Sequence, residues 1–361
     1  MDTRNVSTLI AGFITAGLAA APPAPVDGFA RVRVQVADHV WLIHRPVATD
    51  APFEGNTTVF EQEDGYVVVD AGGAPPAGDH IVRLIRELGP KRVKALVYTH
   101  YHGDHNLGAG AFLAAWPGLQ IISTAATRAN MTGPAMAYVK TYSTSYAGMV
   151  DFGRKRLDDP AVPASEKEGW ARFVAAGPGM VAGYRDLAVH PAGLTFTTGI
   201  TLQDPVTPLE ITFLGRANTD GDAIVWAPRQ RVLASGDIVV HPIPYASACF
   251  PGEWIEVLRR IKAYDFAVLV PGHGEPQKDR AYLDKLIWVL GELRGQVAPL
   301  VKDGLDLEQV RARLDLARLR RAFVADEDGW GRFVMGAVFL GDIVKNVYQE
   351  AKGIPIVQGG S

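Results

Sequence analysis

Four potential metal ligands stand within six residues at His100-Tyr101-His102-Gly103-Asp104-His105, directly after an apolar run at residues 93–98. That run has the length and composition of a buried strand, so the cluster leaves a sheet at one fixed point. In an extended segment, residues two apart project to the same side, which lets His100 and His102 turn their imidazoles toward one point. Asp104 and His105, slightly further on, can reach a second point with one hard oxygen and one borderline nitrogen. Packing alone does not ask for His-x-His-x-Asp-His after a strand, so the pattern predicts a loop that holds divalent metal, zinc by its ligand types.

Composition narrows the rest of the ligand set. Cys249 is the single cysteine, which excludes an internal disulfide and a four-cysteine zinc site and leaves histidine and carboxylate as ligands. Cys249 itself reads as a small buried residue. The 36 basic and 39 acidic residues give a net charge of -3 and form no blocks, so neither a nucleic-acid groove nor a polybasic membrane patch is expected. A small-molecule substrate is the expected partner, and oligomeric state is left open.

Arg4, an apolar stretch from Val6 to Leu18, Ala19-Ala20-Ala21 and then Pro22-Pro23 read as a secretory signal over residues 1–21. The stretch is short for a membrane span, and export to the periplasm is expected, with an uncleaved anchor as the alternative. Residues 22–361 then read as one domain. Period-two alternation at residues 30–44 and apolar runs at 57–60 and 66–69 predict strands, and residues 80–88 predict an amphipathic helix. A helical insertion is expected at about residues 128–190. Within it Tyr138, Tyr142 and Tyr146 share one helical face, either lining a substrate cleft or simply packing. Strand patterns return at 194–202, 210–214, 223–226, 232–234 and 266–270. Helices are expected at 284–300, 307–323 and 330–348, within a C-terminal region of about 278–352.

Thr99 to His105 resembles the signature of the metallo-β-lactamase-fold superfamily, and residues 30–275 follow that family's order of segments. The resemblance implies an α/β fold, a four-layer αββα sandwich with the metals at one rim. It also implies that Asp70 orients the histidine loop through hydrogen bonds, that Asp237 in Ser235-Gly236-Asp237 bridges two metals, and that His273 in Pro271-Gly272-His273-Gly274 is the last histidine ligand. One position departs from the pattern. Asn218 stands in Gly215-Arg216-Ala217-Asn218-Thr219-Asp220 where the family usually has histidine, so it is either a poor ligand or a turn cap.

Two unequal zinc sites are therefore expected. His100, His102 and Asn218 would form the weaker and Asp104, His105 and His273 the tighter, with Asp237 shared. The implied chemistry is hydrolysis, with a metal-bound hydroxide attacking the carbonyl of an ester, thioester, lactone or amide and Asp104 orienting it. The alternatives are a periplasmic β-lactamase and a weakly active or inactive binding member of the fold. His241, just past Asp237, either faces substrate or packs in its loop.

Overall fold

The computed structural model describes residues 27–45 and 47–359. The expected signal segment lies outside them. Strands β1 (Val32–Ala37), β2 (Val40–His44), β3 (Thr57–Glu61) and β4 (Tyr66–Val69) run antiparallel, and β5 (Val93–Val97), β6 (Gln120–Thr124) and β7 (Leu194–Phe196) extend the sheet in parallel from β4. The second sheet has β8 (Gly199–Leu202), β9 (Leu209–Phe213), β10 (Ala223–Ala227) and β11 (Val232–Ala234) antiparallel, with β12 (Val268–Val270) parallel to β11.

Alternation along the strands sorts side chains into layers. Leu42, Val67, Val69 and Val97 pack between the sheets against Ile211, Val225 and Val268. Their neighbours Ile43, Val68 and Leu96 face outward onto Ile81 and Ile85 of α1 (Pro75–Arg86) and Phe112, which lies beyond the one-turn α2 (Gly103–Asn106) on α3 (Ala109–Ala115). Because both faces are covered, the central strands read as continuous apolar runs.

The helical insertion comprises α4 (Ala125–Thr132), a 3-10 segment (Pro134–Thr141), α5 (Tyr142–Asp158) and α6 (Ala164–Gly183). It ends seven residues before the expected 190, since Gly183 is the last helical residue. The outer face of the second sheet, with Ile224, Leu233 and Leu269, packs on Trp254 and Leu258 of α7 (Pro251–Lys262) and Leu290 of α8 (Ala281–Lys302). This is the expected four-layer αββα sandwich.

Three boundaries differ from expectation for identifiable reasons. The strand pattern at 194–202 splits, with β7 pairing to β6 in one sheet and β8 to β9 in the other. The run at 307–323 is two short helices, α9 (Leu307–Arg311) and α10 (Leu316–Arg321), because Asp315 caps a new start by accepting from the Arg318 N–H. The last run is α11 (Gly329–Met335), a π turn (Gly336–Leu340) and α12 (Gly341–Lys352). Among the described residues no helix is long and apolar enough to cross a membrane.

Candidate metal centre

The predicted ligands lie in loops that leave strand ends at the same rim, from β5, β9, β11 and the edge strand β12. The parallel strands β4 and β5 deliver Asp70 and the histidine loop side by side, and the Asp70 N–H donates to the Val97 carbonyl at 2.9 Å. The parallel strands β11 and β12 deliver Asp237 and His273 in the same way. The Ala223 N–H donates to the Thr99 carbonyl at 2.8 Å, tying the loop that carries Asn218 to the histidine loop of the other sheet.

The side chains gather into two groups that share Asp237, one of Asp104, His105, Asp237 and His273 and one of His100, His102 and Asp237. In the first, His105 Nε2 lies 3.2 Å from His273 Nε2, 3.1 Å from Asp237 Oδ1 and 3.4 Å from Asp104 Oδ2. His273 Nε2 is 3.0 Å from Asp104 Oδ2. In the second, His100 Nε2 lies 3.0 Å from His102 Nδ1 and 3.7 Å from Asp237 Oδ2.

Hydrogen bonds behind the rings fix which nitrogen faces inward. His105 Nδ1 donates to Asp70 Oδ2 at 2.7 Å, so in the neutral ring Nε2 carries the lone pair. Thr99 Oγ1 gives its one proton to Asp70 Oδ2 at 2.8 Å and therefore accepts from His100 Nδ1 at 2.9 Å, which leaves His100 Nε2 as a lone pair too. Asp70 achieves this at a φ of 63°, in the left-handed region that non-glycine residues seldom occupy.

Converging lone pairs and carboxylates repel unless a cation lies among them, so the donor set fits a divalent metal. Two further atoms agree. Asp237 Oδ1 and Asn218 Oδ1 are buried and accept no hydrogen bond. Asn218 is fully buried beside Asp237, donating Nδ2 to that residue's main-chain carbonyl at 3.1 Å. It does not cap the turn through its side chain; Thr219 and Asp222 do that by bonding each other.

The local electrostatics follow the same geometry. Burial, then the imidazoles of His105, His102 and His273, hold His100 well below the ordinary histidine range. Burial also lowers His102, against Asp104 and Asp237. For His105 burial opposes charge, but Asp237, Asp104 and Asp70 outweigh it and hold the ring well above its usual value. Burial likewise opposes charge on Asp104, and His105 and His273 reverse it and keep the carboxyl low.

Close glycines shape the walls. A Cβ on Gly272 would lie 1.9 Å from Asp237 Oδ1, and one on Gly55 2.5 Å from the His105 ring. The segment at residues 54–56 straps the tighter group. Gly55 N–H donates to the Asp104 carbonyl at 3.2 Å, and Asn56 Nδ2 donates to the carbonyls of Pro271 and Gly274, each at 2.9 Å.

A cavity of about 210 Å³ opens over Asp104, Asp237 and His273. Tyr142, Tyr146 and His241 line it, and His241 Nδ1 is buried without a hydrogen-bond partner. Tyr138 takes another role, its hydroxyl accepting from the Gly103 N–H at 2.9 Å. Sequence reasoning missed Glu54, Asn56, Tyr184 and Tyr245. Tyr245 packs edge-on to His102 with centroids 5.5 Å apart, and its place in His241-Pro242-Ile243-Pro244-Tyr245 was the available signal.

A family model for the metallo-beta-lactamase superfamily matches residues 50–273. Among curated proteins, a linear primary-alkylsulfatase from Pseudomonas sp. is 24% identical over 247 residues, 63% of this chain and 43% of the relative. The chain thus spans under half the length of that relative. Among solved structures, a stereoselective inverting sec-alkylsulfatase from Pseudomonas sp. aligns with TM-score 0.59 at 17% identity, covering 89% of this chain and 50% of that one. The metallo-beta-lactamase FIM-1 from Pseudomonas aeruginosa, in its mono-zinc form, aligns with TM-score 0.50 at 14% identity, covering 74% of this chain and 98% of that one. These alignments show the fold.

Proposed function

Because the chain belongs to the metallo-beta-lactamase superfamily, we propose that it is a metal-dependent hydrolase, with zinc as its metal, acting on a small neutral ester, thioester, lactone or amide. The observation that carries this reading is the pair of ligand groups sharing Asp237 at the floor of a half-open, largely apolar cavity. Asp104, His105, Asp237 and His273 would hold the tighter metal, and His100, His102 and Asn218 with Asp237 the weaker. A divalent cation there supplies Lewis acidity, bringing the pKa of water down to about 7 and polarising an oxygen of the scissile group.

The chain's own residues do the rest. Asp104 is a ligand with 23% of its side chain exposed at the cavity, where its carboxylate accepts a hydrogen bond from attacking water and aims it. Phe53, Ile243, Val334 and Val338 exclude bulk water and seat the apolar part of the substrate. The N-terminal segment at residues 1–21 would export the protein to the periplasm, which cell fractionation against a version lacking that segment tests.

A sulfate-ester substrate is the second reading, favoured by the similarity to the alkylsulfatase. Against it, none of the described residues lining the cavity is lysine or arginine. Zinc-loaded protein assayed on p-nitrophenyl esters, a thioester, a lactone, a chromogenic cephalosporin and p-nitrophenyl sulfate separates the readings. The expected result is ester or lactone turnover that chelator abolishes and zinc restores. Turnover of the cephalosporin or sulfate alone replaces the substrate class. No turnover of any activated substrate with zinc bound sinks the enzyme reading and leaves a ligand-binding member of the fold.

A further inference from the structure

The strap at residues 54–56 is anchored from outside the stretch that the family model matches. Arg31 stands immediately before β1, ahead of the matched residues 50–273. It pairs with Glu54 at 2.5 Å, and both side chains are fully buried. The guanidinium forks, its Nη2 donating to Glu54 Oε2 and its Nη1 to the Gly55 carbonyl at 2.9 Å. Glu54 is held from two further sides, Oε2 accepting from the Gly73 N–H at 2.7 Å and Oε1 from the Tyr184 hydroxyl at 3.3 Å. The segment that carries Arg31 is itself seated. The Phe29 ring meets Tyr184 edge-on with centroids 5.5 Å apart, and a Cβ on Gly183 would lie 2.4 Å from that ring.

Both branches of the fork lead to Asp104. Gly55 is gripped at both ends of its main chain, its carbonyl accepting from Arg31 and its N–H donating to the Asp104 carbonyl at 3.2 Å. Gly73, whose N–H binds Glu54, lies so close that a Cβ on it would fall 2.7 Å from the Asp104 Cα. The Asp104 main chain is thus bounded on two sides by residues that Arg31 and Glu54 hold, and its Oδ2 stands 3.0 Å from His273 Nε2. A buried ion pair is costly to desolvate, and two apolar side chains of similar volume would support the fold as well or better. What apolar side chains cannot do is hold a carbonyl and an N–H at fixed points.

We propose that Arg31 is a positioning residue for the tighter metal: through Glu54 and Gly55 it fixes the main chain of Asp104, and with it the place where that carboxylate meets His105 and His273. The inference rests on reading Asp104, His105, Asp237 and His273 as a metal site.

Two variants of the full chain separate this role from support of the fold. Arg31→Lys keeps a charge beside Glu54 but replaces the fork by a single ammonium. The double variant Arg31→Met with Glu54→Gln removes both charges together, so that neither is left buried alone, and its carboxamide oxygen can still accept from the Gly73 N–H. The measurements are the Kd of the first zinc equivalent, by competition with a chromophoric chelator, and the Tm of the metal-free protein.

Both variants should bind the first zinc about 10–100-fold more weakly than wild type, the range for groups that orient ligands from behind. Arg33→Met, which removes a surface pair with Glu87 on the same strand, should leave that Kd unchanged. Should one of the two Arg31 variants not fold, the other decides. A wild-type Kd in either folded variant overturns the proposal, as does an equal loss in Arg33→Met. A lowered metal-free Tm with an unchanged Kd likewise overturns it and assigns the pair to the fold alone. Wild type that binds no zinc refutes the metal reading and this inference with it, whereas zinc bound equally by wild type and variants refutes only this inference.

Discussion

The two ligand groups draw on the same loop and share Asp70 behind their rings, but only one of them is strapped from residues 54–56. The group of Asp104, His105 and His273 is braced from three directions. Asp70 takes the back of the His105 ring, Gly55 holds the Asp104 carbonyl, and Asn56 ties both sides of His273. The group of His100, His102 and Asn218 is held by Thr99 behind His100, itself bonded to Asp70, by Asn106 donating to the His102 carbonyl at 2.7 Å, and by a turn closed by Thr219 and Asp222. Metal affinity depends on such bracing as much as on the ligands. The comparison teaches that Asp70 serves both sides, so the asymmetry lies in the asparagine and in the strap at residues 54–56, which reaches Asp104 and the flanks of His273.

The largest effect expected is from Asp237→Ala, which removes the one side chain common to both groups. Metal content by elemental analysis should drop to near zero and turnover should fall about a thousandfold or more. Retention of one tightly held metal would mean the groups are independent. Next is Asp70→Asn, which leaves every ligand in place. It should weaken the tighter metal by about 10–100-fold, read by chelator competition. An effect confined to the weaker metal would reverse the comparison.

Asn218→His should raise occupancy from about one metal per chain to about two at limiting zinc, and two full equivalents in both proteins would refute the weak-site argument. The smallest effect concerns the turn beside Asn218. Burial pushes the Asp222 carboxyl up to about 7 against the hydrogen bonds it accepts from Thr219. Between about pH 4 and pH 7 the native state thus keeps a proton that the unfolded chain has released, so stability falls as pH rises through that window. In metal-free protein the Tm of wild type relative to Asp222→Asn should therefore decline from pH 5 to pH 8. A constant gap would show that Asp222 does not titrate there.

The histidine loop was legible in the sequence because its ligands are neighbours along the chain and follow an apolar strand. Asp237 and His273 were legible through resemblance, each being an ordinary residue at a strand end without it. The bracing was not legible. Glu54 and Asn56 lie in Phe53-Glu54-Gly55-Asn56, which carries no periodicity, and they reach the site only because β3 starts immediately afterwards beside the rim. Tyr184 lies just past the end of α6, and its partnership with Glu54 spans 130 positions. The amphipathic C-terminal runs predicted helix correctly, whereas the break at Asp315 required weighing a capping residue against an otherwise continuous pattern.

The glycines behind the ligands limit the directions in which this protein can be changed. With Gly272 against Asp237 and Gly55 against His105, the rear of the site has no room for even one added carbon. The cavity side is walled by α5, the loop at 240–245 and the C-terminal helices, where, Tyr245 on His102 apart, side chains have cavity space into which to shorten or lengthen. Laboratory selection for a new substrate should therefore accumulate replacements on the cavity side while leaving those glycines alone, so the scaffold separates what may be tuned from what must stay constant.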